Sequence, residues 1–186
     1  MWGRLYDRMF RPLLVACLGL GVLSLAPTAA ASPFGQGVFG AQVLFGSVTS
    51  LAISLGSNPS LSLTPSGSNF VGSGSHTITV TSNDVVGYSL YIYGAGGTAM
   101  NGNGSTIPAS SNGSAAPLAV NTWGYNTDGS GNYLGLTTTP VLLKTAIGPY
   151  ETGDNTTVTY GVLTNITKPA GSYSASVTYT VVAKTD

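Results

Sequence analysis

Charge is what this chain lacks most. Its 186 residues include six Lys and Arg and six Asp and Glu, 6% in all, where an ordinary soluble protein carries about 25%. Nucleic-acid binding needs a clustered basic footprint. The few charges here are scattered, so no nucleic-acid partner is expected. Cysteine and histidine are as scarce, one of each, which leaves too few soft ligands for a zinc site. A serine hydrolase of the elbow type would carry Gly-x-Ser-x-Gly, which is missing. His76 has Ser73, Ser75 and Asp84 near it in sequence, but it reads more simply as a loop histidine at a strand end. A glycosidase wants two carboxylates across a cleft. Glu151 and Asp154 are close neighbours, but in a stretch that reads as a turn. No enzyme activity, cofactor or metal is expected.

Low charge with much Gly, Ser, Thr and Asn raises the question of disorder. The answer lies in what is present: 42% apolar residues and ten tyrosines, enough to build a core and unlike a disordered composition.

Residues 1–31 read as a secretory signal peptide. Arg4, Arg8 and Arg11 form a basic start, Leu13–Leu25 an apolar run that Pro27 ends, and Ala29 and Ala31 the small residues before a cleavage site after Ala31. Two other readings stand beside it. One is an uncleaved anchor, for which the run is shorter than the roughly 20 residues of a spanning helix. The other is a lipobox, Leu14-Val-Ala-Cys17, which would leave Leu18–Leu25 stranded behind the lipid. Cleavage after Ala31 leaves three lysines against five carboxylates, a net charge of −2, and no cysteine. No transmembrane segment is expected in the mature chain.

From there the pattern has period two. Leu51, Ile53 and Leu55 share a face, as do Leu61 and Leu63. Ile78 and Val80 alternate with threonines. Tyr88, Leu90 and Ile92 face one way, with Val158, Tyr160 and Val162 further on. The longest case is Tyr173, Ala175, Val177, Tyr179 and Val181. Strands with one apolar and one hydroxyl face belong to antiparallel sheets wet on one side. Short strands broken by Gly, Asn, Ser and Pro predict an all-β, antiparallel β-sandwich over 47–186, Ig-like or similar, of about seven to nine strands. Gly94–Ser114, without a strand-length apolar run, reads as a long surface loop.

Ile78-Thr-Val-Thr-Ser-Asn-Asp-Val-Val-Gly-Tyr88-Ser-Leu-Tyr-Ile and Pro169-Ala-Gly-Ser-Tyr173-Ser-Ala-Ser-Val-Thr-Tyr179-Thr-Val181 resemble the WxL-type surface domain of Gram-positive bacteria. Tyr88 and Tyr179 stand where that family has tryptophan. With Asn121-Thr-Trp123-Gly-Tyr125 included, the chain looks closer to secreted surface repeat proteins of candidate-phylum, Saccharibacteria-type bacteria. The resemblance implies export, a cell-surface location and core positions for Tyr88 and Tyr179.

The remaining candidates concern recognition and assembly. Trp123, Tyr125 and Tyr133 surround a Gly-rich turn. Loop aromatics stack on sugars and pack in interfaces, so they are candidate recognition residues for envelope glycan or a surface protein; the plainer reading of Trp123 is that it fills the end of the sandwich core. Asn126-Thr-Asp128-Gly-Ser130-Gly-Asn132 alternates oxygen ligands as a calcium loop does but has Thr137 where the bidentate Glu belongs, so it reads as a hairpin turn. The Gly/Phe-rich segment 32–46 holds one alternating stretch, Val38–Phe45, with Phe39, Ala41, Val43 and Phe45 on one face. Phe39, Val43 and Phe45 are candidate assembly residues: the stretch either adds as a strand to a neighbouring subunit or folds onto its own sheet. The functional expectation is an exported, non-enzymatic surface protein, structural or adhesin-like.

Overall fold

The computed structural model describes residues 49–184. Residues 1–31, expected to be a leader, and the segment with Phe39, Val43 and Phe45 lie outside the described residues. Within them there is no helix, and none long and apolar enough to cross a membrane.

The described residues form an all-β sandwich of antiparallel sheets. One sheet has the order β1 (Ser50–Leu55), β3 (Asn69–Asn83), β9 (Tyr150–Asn165), β7 (Thr122–Asn126), with β2 (Thr64–Ser66) on the far end of β3. The other has the order β10 (Thr178–Lys184), β4 (Gly87–Tyr93), β8 (Val141–Ile147). A small hairpin, β5 (Met100–Gly102) with β6 (Ser105–Ile107), stands apart. Ten strands exceed the expected seven to nine only through β2, β5 and β6, three residues each.

Register follows from which side chains must face inward, because a one-residue slip would turn every apolar group to water. His76 pairs with Val158, Ile78 with Thr156 and Val80 with Asp154. Trp123 pairs with Val162 and Tyr125 with Tyr160. In the facing sheet Tyr179 pairs with Ile92 and Val181 with Leu90. Ile78, Val80, Tyr88, Leu90, Ile92 and Val158 are completely buried where the two faces meet. Tyr88 fills the core position expected of it. Tyr179 faces inward too but is only partly buried, because β10 is an edge strand.

One flank of the sandwich is tied by charge. Lys144 on β8 reaches across to Asp154 on β9 at 2.7 Å, and the Tyr88 hydroxyl donates to the second carboxylate oxygen at 2.7 Å. Burial alone would raise the Asp154 pKa, but the bonds from Lys144 and Tyr88 outweigh it and hold the carboxyl below its ordinary range. Its own burial, and after it the same carboxylate, push the Tyr88 hydroxyl well above the usual phenol range.

Several local expectations are corrected. Glu151 and Asp154 lie on β9, not in a turn. His76 sits in the middle of β3, not at a strand end. Leu61 and Leu63 belong to no strand, and Tyr173–Val177 precedes β10 with a single bridge at Ser174. Gly94–Ser114 is not a surface loop throughout: it holds β5 and β6, and Ile107 and Ser110 are buried. Its Asn103-Gly104 pair, both at positive φ, is a strong hairpin signal.

Hydrogen bonds of the Asn126 side chain hold the turn that follows it. The buried Asn126 amide donates to the carbonyls of Ser130 and Asn132 at 2.6 and 3.0 Å and accepts from the Gly129 N–H at 3.2 Å. Asn126→Ala should cost about 0.5–1.5 kcal/mol in urea unfolding, since it removes the side-chain bonds that hold the turn's partly buried carbonyls. A chelator should leave the melting temperature of the native protein unchanged; a large drop would restore the calcium reading.

Candidate functional site: a cleft at the open edge of the sandwich

Trp123, Tyr125 and Tyr133 do not form one surface. β7 turns Trp123 and Tyr125 into the core, at 1% and 2% exposure, so neither stands on a loop. Tyr133 lies on the opposite side of that sheet. Gly124 and Gly161 pair across β7 and β9 and leave a trough on the outer face. A Cβ on Gly161 would fall 2.3 Å from the Tyr133 ring. Trp123 and Tyr125 were expected around a turn; they lie on a strand instead, and its pairing with β9 turns them inward.

The structure brings together a different group. A cleft of about 1200 Å³ opens between the two sheets along one edge. One wall is the non-strand segment from Asn58 to Leu63. Gly72 and Gly74, both on the inward face of β3, let it lie against bare backbone: a Cβ on either would meet the carbonyl oxygen of Ser62 or Ser60 at 2.9 Å. The other wall is the run from Lys168 to Val177, leading into β10. Trp123, Tyr160, Val162, His76 and Tyr179 line its floor.

The floor is cross-linked by hydrogen bonds between sheets. The Tyr179 hydroxyl from β10 bonds His76 Nε2 from β3 at 2.9 Å and makes a close hydroxyl–hydroxyl contact with Tyr160 from β9. The His76 ring lies 5.8 Å from that of Tyr160 and 5.5 Å from that of Tyr179. The Trp123 indole N–H donates to the Thr98 carbonyl at 2.9 Å. Burial, the largest influence on each, pushes Tyr160 up to about 12 and Tyr179 higher still, so both phenols stay neutral at physiological pH. Burial lowers the His76 pKa, which keeps its imidazole neutral too. The floor is a polar but uncharged clasp.

A pH dependence follows. The unfolded state binds a proton on His76 more readily than the folded state does. The histidine's contribution is therefore fully present above its unfolded value near 6.5 and is lost as pH falls through the lower folded value. His76→Gln should flatten that part of the slope. Urea midpoints compared just above and well below pH 6.5 check it; equal slopes for both chains would place the titration elsewhere.

The cleft's rim is apolar and only half covered. Leu55 and Leu63 are 51% and 43% exposed, although both belong to alternating stretches expected to face a core. Among the described residues that line it, Lys168 is the only Lys, Arg, Asp or Glu. No group of three or more His, Cys, Asp or Glu side chains that could hold a metal occurs among the described residues. No family model matches the chain, and no curated protein and no solved structure matches it.

Proposed function

We propose that this chain is an exported, non-enzymatic structural protein of the cell surface, a subunit of a surface layer or appendage, and that its cleft is an assembly contact. The export part rests on the leader pattern at residues 1–31. The assembly part rests on one observation: an apolar, nearly uncharged cleft of about 1200 Å³ at the open edge of a sandwich, larger than the about 300–1,000 Å³ typical of small-molecule pockets. Open edges invite strand pairing, and proteins that must stay single blunt them with charge; this rim has almost none. The hydroxyl-rich outer faces keep such a subunit hydrated without the long charged side chains that would have to be desolvated in a packed array.

An adhesin-like module that stacks envelope glycan on loop aromatics has less support, because Trp123 and Tyr125 are buried. The test is fractionation of cells that make the protein with its own leader, separating envelope, appendages and medium, together with sedimentation of the purified mature chain. An assembly subunit should appear in the envelope or appendage fraction and sediment as species larger than a monomer. A monomer at every concentration that binds isolated wall material would overturn the proposal in favour of the adhesin.

A further inference from the structure

We infer that the cleft is a strand-acceptor groove and that its occupant is the segment Val38–Phe45 of a second copy of this chain. The inference rests on the assembly reading above and names the partner.

The acceptor edge is the run before β10. Ser174 exchanges both backbone hydrogen bonds with Asn101, at 2.8 and 3.0 Å. Backbone groups alternate sides along an extended chain, so those of Tyr173, Ala175 and Val177 point the other way, along the cleft. No hydrogen bond joins them to any described residue. The side chains of the same three residues are partly buried against the core. The edge therefore presents what an added strand uses: N–H and C=O groups in line that bond no other described residue, with apolar depressions at every second position.

Its dimensions suit a strand. Tyr173–Val177 spans about 17 Å at the usual rise per residue, the length of a five-residue strand. The facing wall offers Leu55, Leu61 and Leu63. Val38–Phe45 is complementary in pattern, with Phe39, Ala41, Val43 and Phe45 on one face and no charge in the segment. The apolar face of such a segment would cover the exposed rim at Leu55 and Leu63.

The topology favours a second copy as the source. β1 and β10 approach within 8 Å between Cα atoms, so that part of the edge is closed. The cleft lies beyond Leu55, at the opposite end of β1 from Ser50. Five residues from Phe45 to Ser50 reach at most about 17 Å, no more than β1 itself measures. A donor from the same chain would have to run back taut along the whole of that strand; a donor from another copy enters from the open end.

The test uses the full mature chain and two substitutions. Val43→Asp spoils the donor and leaves the groove intact. Leu63→Asp places a charge in the groove at a rim position already exposed, and leaves the donor intact. Sedimentation should show multimers for the parent chain and monomers for each variant alone, with melting temperatures close to the parent's. Mixing the two variants should form a heterodimer, because one sound donor then meets one sound groove. If Val43→Asp multimerises like the parent, the occupant is wrong while the assembly reading stands. A parent chain that stays monomeric overturns both. A Val43→Asp monomer of much lower melting temperature, with no heterodimer on mixing, would show that the segment belongs to its own chain's core.

Discussion

Trp123→Ala should lower the unfolding free energy by about 3–5 kcal/mol, the range for large aromatics in well-packed cores. The side chain is 1% exposed, its ring centroid lies 6.1 Å from that of Tyr160, and its indole N–H holds the Thr98 carbonyl. Removing it leaves a void beneath a cleft already open on one side and orphans that carbonyl. Trp123→Phe keeps most of the packing and loses the hydrogen bond, so a smaller loss of about 1–3 kcal/mol is expected. Urea unfolding followed by tyrosine fluorescence measures both. A loss below about 1 kcal/mol for the alanine variant, far under the core range, would mean that the indole is not packed in solution and would reopen its role in recognition.

Tyr88→Ala is the second large effect, again about 3–5 kcal/mol. Tyr88 is wholly buried on β4, beside Ala146 in the ladder, with Tyr150 edge-on at 5.8 Å. The more telling variant is Tyr88→Phe. It keeps the ring and removes one of the two hydrogen bonds that hold Asp154 ionised between the sheets, which should cost about 1.5–3 kcal/mol for a bond to a charged group. Asp154 has a depressed folded pKa. Its contribution is present above the ordinary carboxylate value and is lost as pH falls through the folded one. Without the tyrosine hydroxyl the folded pKa rises, so acid unfolding of Tyr88→Phe should begin at a higher pH than in the parent. Identical acid midpoints would show that Lys144 alone sets the carboxylate.

The period-two pattern was a reliable guide wherever a strand has neighbours on both sides. Tyr88, Leu90 and Ile92 on central β4, and Val158, Tyr160 and Val162 on β9, are as buried as their alternation implies. It misled where a strand or segment lies at an edge. Leu61 and Leu63 alternate like a strand but cross the glycine notches of β3 instead, and Ile53 and Leu55 alternate like core residues yet remain exposed. Alternation records which face of a chain is apolar, not whether anything covers it. The Asn103-Gly104 hairpin had a signal of its own, turn chemistry, which an apolar-run criterion passes over.

The candidate site was less legible than the fold. The run of alternating segments alone specified an antiparallel all-β chain, because the period of a strand is written in local order. Which aromatics meet could not be read that way. His76, Tyr160 and Tyr179 are up to 103 positions apart, and only the β3–β9 register and the facing of β10 bring their polar ends together. Trp123 and Tyr133, close in sequence around one turn, end on opposite sides of a sheet because the Gly124–Gly161 pair admits one of them to the outer face. The cleft itself exists because sheet edges stop at different heights: β1 ends at Leu55, β10 begins at Thr178, and no described strand closes the gap between the walls beyond them. Strand length is local, but where two edges end relative to each other depends on register across the whole sandwich, and that is settled only when the two apolar faces pack.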